Sequence, residues 1–184
     1  MLDQVQRDSI IPDDRLMLPG ISHICLVVYD VEKTARHWAD AFGVGPFTIR
    51  TVETPETRGE VRGEPAAFTL KFAYAQMGPF VLELVETVSD SAIYQEHLEA
   101  KGEGVHHLGF NIPGSLDCEL EKWDRAGFKP LMVNRRELSQ YGWAYMDTES
   151  TAGCILEIVC DPALGWWQTL QMTGDFEALK SNAK

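Results

Sequence analysis

The stretches ISHICLVVYD (residues 21–30) and GVHHLGFNI (residues 104–112) decide how this chain is read, because each opens one copy of the same pattern. Residues 21–29 form a short apolar run rich in β-branched side chains, the signature of a buried strand. After Asp30, a residue type suited to an N-cap, the segment VEKTARHWADAFG sets Val31, Ala35, Trp38, Ala39 and Phe42 at helical spacing and stops at Gly43. Further strands are expected at 47–52, 67–75 and 80–86, the last two joined by the turn Gln76-Met77-Gly78-Pro79.

The second half repeats the order. A strand at 106–112 precedes a helix that starts at Ser115 and puts Leu116, Leu120 and Trp123 on one face, and strands follow at 130–135, 142–148 and 154–160. His23 precedes Gly43 by 20 residues, and His107 precedes Gly127 by the same 20. The spacing therefore predicts an α+β fold of two tandem βαβββ modules, whose curved mixed sheets face each other across a cleft. The modules span 21–86 and 105–161 of a single domain at 21–161, with a linker helix at 87–104. Residues 1–20 are read as an N-terminal extension and 162–184 as a C-terminal helix and tail. The segment 53–65, rich in proline, glycine and charge, reads as a mobile loop.

Composition narrows the function. With 184 residues, 45% hydrophobic and 24% charged, the chain is of ordinary globular type. Its 28 acidic residues outweigh 16 basic ones for a formal charge of −12, which disfavours nucleic acid and anionic membranes as partners. No run approaches the roughly 20 apolar residues that span a bilayer. The N-terminal MLDQVQRDSIIPDDR lacks the basic start and apolar core of a signal peptide, so a cytoplasmic location is expected. Cys25, Cys118, Cys154 and Cys160 show no CxxC spacing and are read as free thiols.

Strand parity then points to a site. His23, Cys25 and Val27 share one face of the first strand, and Glu83 interrupts the apolar run FVLELVE; likewise His107, Gly109 and Asn111 share a face, and Glu157 interrupts CILEIVC. An unpaired carboxylate in a central strand costs several kcal/mol as an order of magnitude. Two histidines and two glutamates at matching repeat positions are therefore read as holding one divalent cation, which makes the cleft between the sheets a metal-binding cleft. His37 and His97 are left as ordinary helix residues, and His106, on the opposite parity, as a structural hydrogen-bonding group.

The duplicated unit, the runs SHICLVV, FVLELVE, GVHHLGFNI and CILEIVC, and the His/Glu/His/Glu order resemble the vicinal oxygen chelate superfamily. That superfamily includes glyoxalase I, methylmalonyl-CoA epimerase, extradiol dioxygenases and drug-resistance binding proteins. The resemblance places the metal ligands on His23, Glu83, His107 and Glu157 and implies one divalent ion, cobalt, nickel, manganese, zinc or iron. KGEGVHHLGF is similar to the epimerase, in which the second histidine of the pair is the ligand. Two departures stand out: an arginine that helps hold glutathione in glyoxalase I is Val27 here, and the epimerase's catalytic glutamate on the third strand has no counterpart in AFTLKFAYA.

Counting back twelve residues from each glutamate reaches Lys71 and Tyr145, which are expected beside the metal as quasi-symmetric neighbours. The expected activity is a metal-dependent lyase or isomerase, epimerase-like, acting on a small substrate with adjacent oxygens through a metal-chelated enolate. Glu157 or Glu83 would be the base, or Lys71 beside them. An Fe(II) extradiol-type dioxygenase and a metal-free ligand-sequestering protein are the alternatives, and a homodimer fits the resemblance. Trp143 is a candidate for the cleft, and Arg58 and Arg62 could either cap an acidic substrate or be solvated.

Overall fold

The computed structural model describes residues 15–89, 92–136 and 141–160. The expected C-terminal helix at 162–184 and most of the N-terminal extension lie outside the described residues. Strand β1 (Ile21–Val27) leads into helix α1 (Val31–Phe42), which begins where the Asp30 carboxylate accepts from Lys33 N at 2.8 Å and ends where Gly43 adopts φ 67°. A side chain at Gly43 would meet the left-handed penalty that glycine avoids. Strands β2 (Thr48–Thr54), β3 (Gly59–Val61), β4 (Glu64–Pro65), β5 (Phe68–Met77) and β6 (Phe80–Thr87) complete the first half.

Helix α2 (Ala92–Lys101) precedes β7 (Gly104–Asn111), α3 (Leu116–Arg125), β8 (Pro130–Arg135), β9 (Gly142–Met146), the short α4 (Glu149–Ala152) and β10 (Ile155–Cys160). All these strands join one curled mixed sheet in the order β2-β5-β6-β1-β7-β10-β9-β8-β3-β4. Within each half the first and last strands run parallel, β1 with β6 and β7 with β10, and the halves meet through antiparallel β1 and β7. The seam between the repeats thus runs through the middle of the sheet, and the four strands around it are central.

The segment 53–65 departs from the expected mobile loop. It continues β2 through Thr54, turns at residues 55–58, and lays β3 antiparallel on β8, the far edge of the second half. Asn134 Nδ2 donates to Thr54 Oγ1 at 2.9 Å, and Arg135 N donates to Arg58 O at 2.9 Å. One short connection therefore draws the two ends of the sheet together, and backbone pairing holds it there. Its polar composition hid a strand whose pairing partner lies more than 70 residues away in sequence.

Helices α1 and α3 cover the convex face. Val31 and Ala35 pack on Ala73, Leu82 and Leu84, while Leu116 and Trp123 pack with Phe110, Met146 and Ile158. The concave face carries a separate cluster in which Phe68, Leu70, Phe72, Val85, Met132 and Tyr145 meet Ile93, Tyr94 and Leu98 of α2. The linker helix therefore plugs the concave side. The four cysteines are free, and no described helix is long and apolar enough to cross a membrane.

Trp123 is 2% exposed, so Trp123→Ala should destabilise the protein by about 3–5 kcal/mol through transfer and cavity costs. Removing the α1 cap with Asp30→Ala should cost only about 1 kcal/mol. Urea unfolding of both variants checks the ranking, and equal losses would contradict this account of the core.

Candidate metal centre

Four neighbouring strands each deliver one donor side chain: β6 brings Glu83, β1 His23, β7 His107 and β10 Glu157. Register aligns them, since Cys25 lies beside both Glu83 and His107, and Gly109 lies beside both His23 and Glu157. All four donors are buried, and one ligand atom from each falls within 4.8 Å of the others. His23 Nε2 stands 2.6 Å from Glu157 Oε2, 3.2 Å from Glu83 Oε2 and 3.3 Å from His107 Nε2. His107 Nε2 stands 3.4 Å and 3.6 Å from the same two oxygens of Glu157 and Glu83.

These four donor groups crowd around one buried point. Glu157 Oε2 is buried and receives no properly directed hydrogen bond, although His23 Nε2 is close. An orphaned acceptor of this kind costs about 1–3 kcal/mol, more when charged, and a cation at the shared point removes that cost. Two imidazoles and two carboxylates form a mixed N/O donor set suited to a divalent transition ion. The residues present thus fit a metal.

The partners behind the rings set the nitrogens that face the centre. Ser22 Oγ donates to Gly109 O at 2.9 Å and lies 3.1 Å from His23 Nδ1, from which it can accept. His107 Nδ1 lies 2.9 Å from His106 Nδ1. With each Nδ1 carrying a proton toward its partner, it is Nε2 of each ring that can offer a lone pair to a cation, for His107 after release of its extra proton. His106 thus supports His107 from behind, a finer role than the structural one its parity suggested. Gly109 makes the space: a Cβ there would stand 1.8 Å from His23 Cε1. At the equivalent place beside His107 stands Cys25, whose thiol burial pushes up to about 12, so it stays protonated.

Electrostatics reflect the crowding. Burial opposes ionisation of Glu157, yet His23 and His107 hold its carboxyl down at about 2. Burial likewise disfavours a charged His107, but its hydrogen bonds to the Cys25 sulfur and to Glu157, with the Glu157 carboxylate charge, outweigh it and raise that imidazole well above its ordinary range.

The expected neighbours divide. Tyr145 pairs with Glu157 and faces the cleft, but Lys71 does not: its Nζ lies 2.7 Å from Glu32 Oε1 of α1, on the convex side. Lys71 is therefore corrected out of the site. The residue paired with Glu83 is Tyr74. The offset of twelve assumed equal hairpins, whereas β5 and β6 join through a two-residue turn, Gly78-Pro79, and α4 lengthens the link between β9 and β10. Counting outward from that turn finds Tyr74. Parity misled because the aromatic face of β5 lines the cleft and the small residues Ala73 and Ala75 sit on the other side.

Burial and the nearby charges raise both phenols well above their ordinary range, so Tyr74 and Tyr145 are hydroxyl donors. Tyr74 hydrogen-bonds Glu83, and Tyr145 O–H lies 2.5 Å from Tyr94 O–H of α2. Trp143 stacks on Tyr145 with centroids 4.8 Å apart. A cavity of about 300 Å³ opens from the donor cluster, lined by His23, Glu83, Glu157, both tyrosines and Trp143 and reaching Arg50 and Arg58. Arg62 instead pairs with Glu96 on the surface, at 2.5 Å.

Residues 22–148 match the family described as the Glyoxalase/Bleomycin resistance protein/Dioxygenase superfamily. Among solved structures, a variant of Streptomyces coelicolor methylmalonyl-CoA epimerase in complex with 2-nitronate-propionyl-CoA is 20% identical with a TM-score of 0.59, covering 80% of this chain and 97% of that one. A methylmalonyl-CoA epimerase in complex with methylmalonyl-CoA and ammonium gives the same four values. The Mycobacterium tuberculosis methylmalonyl-CoA epimerase is 16% identical with a TM-score of 0.55, covering 86% and 97%. At these identities the likeness shows the fold. No match was found among curated protein sequences.

The purified protein should bind one divalent ion per chain, and His107→Ala should abolish it. Gly109→Ala should weaken binding at least tenfold by displacing the His23 ring while leaving His107 in place. Because the raised His107 imidazole holds a proton at neutral pH in the metal-free site, binding should release that proton and affinity should fall as pH drops. Calorimetry in buffers of different ionisation enthalpy checks this, and a buffer-independent heat would contradict it.

Proposed function

The chain belongs to the glyoxalase/bleomycin resistance protein/dioxygenase superfamily, and on that premise we propose that it is a divalent-metal-dependent isomerase or lyase of epimerase type. Its substrate is a small molecule with adjacent oxygens and an acidic neighbouring C–H. The observation that carries this reading is the buried cluster of His23, Glu83, His107 and Glu157, three of which line a cavity together with two neutral tyrosines. A divalent ion held by these four residues supplies Lewis-acid stabilisation of the negative charge that develops on a substrate oxygen as the C–H is broken.

The side chains have separable tasks. Glu157, whose Oε2 has no directed hydrogen-bond partner, is the group best able to take the proton, its low intrinsic basicity rising as it leaves the imidazoles. Glu83 is held by the Tyr74 hydroxyl, which restrains it as a donor to the ion. Tyr145, backed by Tyr94, offers an O–H to a second substrate oxygen, and Trp143 with Phe72 and Leu70 excludes water from the path of the proton. Returning the proton to the same carbon gives epimerisation, and loss of a neighbouring group gives elimination.

A ring-cleaving dioxygenase needs two histidines, one carboxylate and open positions. The second carboxylate, Glu83, favours proton transfer over oxygen activation. The CoA esters bound in the similar epimerase structures support an acyl thioester as the first substrate to test.

With methylmalonyl-CoA and free methylmalonate as probes in deuterated water, the metal-loaded protein should exchange the substrate C–H proton, followed by NMR. Glu157→Gln should reduce exchange at least a hundredfold, while Lys71→Gln should change it less than twofold. Unchanged exchange in Glu157→Gln would remove that carboxylate as the base.

A further inference from the structure

The acidic chain concentrates positive charge in one place. Of its nine arginines, four line the single cavity that holds the donor cluster: Arg50 on β2, Arg58 in the β2–β3 turn, and Arg135 and Arg136 at the end of β8. They come from the two edges that the curled sheet brings together. Arg50 lies beside Phe72 in register, and Val52 beside Leu70, so one face of β2 sets a cationic and an apolar side chain on the cavity wall.

These arginines are not equivalent. Arg135 is committed to Glu60 and to Asp117, and Arg136 has an interaction of its own. Arg50 and Arg58 have no ion pair among the described residues, and Glu53 is the one acid near them on the cavity wall outside the donor cluster. Arg58 is also held in place: its N donates to Pro55 O at 2.9 Å, and its O accepts from Arg135 N at 2.9 Å. Its backbone is thus clamped between the two halves of the sheet and cannot swing freely into solvent.

We propose that Arg50 and Arg58 form a second binding subsite, for an oxyanionic group at the far end of the substrate. The proposal rests on reading this cavity as the substrate site. The cavity then combines the donor cluster with Tyr74 and Tyr145, the apolar side chains of Leu70, Phe72 and Trp143, and the guanidinium groups, with Arg50 level with Phe72, one inward-facing step from Tyr74. The complementary molecule has chelating oxygens, a short apolar or thioester spacer, and a carboxylate or phosphate. Planar guanidinium groups match either oxyanion in bidentate fashion. Against a formal charge of −12, this end also offers an anionic substrate a local attraction that the rest of the surface lacks.

The test uses protein stripped of metal and desalted, with malonate and inorganic phosphate titrated separately by calorimetry, so that binding at the metal and enolate chemistry play no part. Wild type should bind at least one probe, and the double variant Arg50→Gln/Arg58→Gln should bind it at least tenfold more weakly, with metal stoichiometry and Tm unchanged. Arg62→Gln, on the surface beside Glu96, should bind like wild type. Preference for malonate identifies a carboxylate end and preference for phosphate a phosphorylated one; each supports the subsite. Absence of binding by wild type, unchanged affinity in the double variant, or an equal loss in Arg62→Gln would overturn it. Failure of proton exchange with intact anion binding would instead overturn the proposed reaction and leave the subsite standing.

Discussion

Two carboxylates and two imidazoles meet at one buried point inside a curled sheet, and the rest of the molecule is arranged around the cost of placing them there. Burying even one such charge without compensation is a matter of several kcal/mol. Each donor comes from a different strand, and the four strands are adjacent at the seam between the repeats. The seam is the one part of the sheet where neither repeat can complete the site alone. Duplication followed by antiparallel joining of β1 and β7 is what brings a histidine and a glutamate from each half to the same depth.

Closure of the sheet does the second part of the work. The turn at 55–58 and the strand β3 bind the first half to the far edge of the second, through Asn134 with Thr54 and Arg135 with the Arg58 carbonyl. This converts an open curved sheet into a walled cavity lined by donors of the cluster, aromatic side chains and guanidinium groups. α2 fills the concave side with Ile93, Tyr94 and Leu98, and its Tyr94 hydroxyl anchors Tyr145. The same helix therefore contributes both to the core and to the orientation of a donor in the cavity.

The halves are symmetric in the four clustered donors and different around them. His23 has Gly109 beside it and Ser22 behind it, whereas His107 has Cys25 beside it and His106 behind it. Glu83 accepts from Tyr74, while one oxygen of Glu157 is left without a directed donor. Equivalent positions with different supports make the two carboxylates inequivalent: Glu83 is held by a tyrosine hydroxyl and Glu157 by the two imidazoles.

The sequence by itself determined the duplicated strand–helix–strand order, the parity of the first and last strand of each half, and hence the identity of the four clustered residues. Those features depend on alternation within a strand and on spacing within a repeat, which are local. Tyr145 was reached by the same counting, but Lys71 was not placed correctly, since its position depended on hairpin length and on which face of a doubly buried strand meets the cleft. Tyr74 was legible from the Gly78-Pro79 turn and was missed because both halves were assumed to have equal hairpins. The strand β3 and the placing of Arg58 beside Arg135 were decided only by the tertiary structure. They arise from pairing between residues more than 70 positions apart, where no local pattern of polarity specifies the partner.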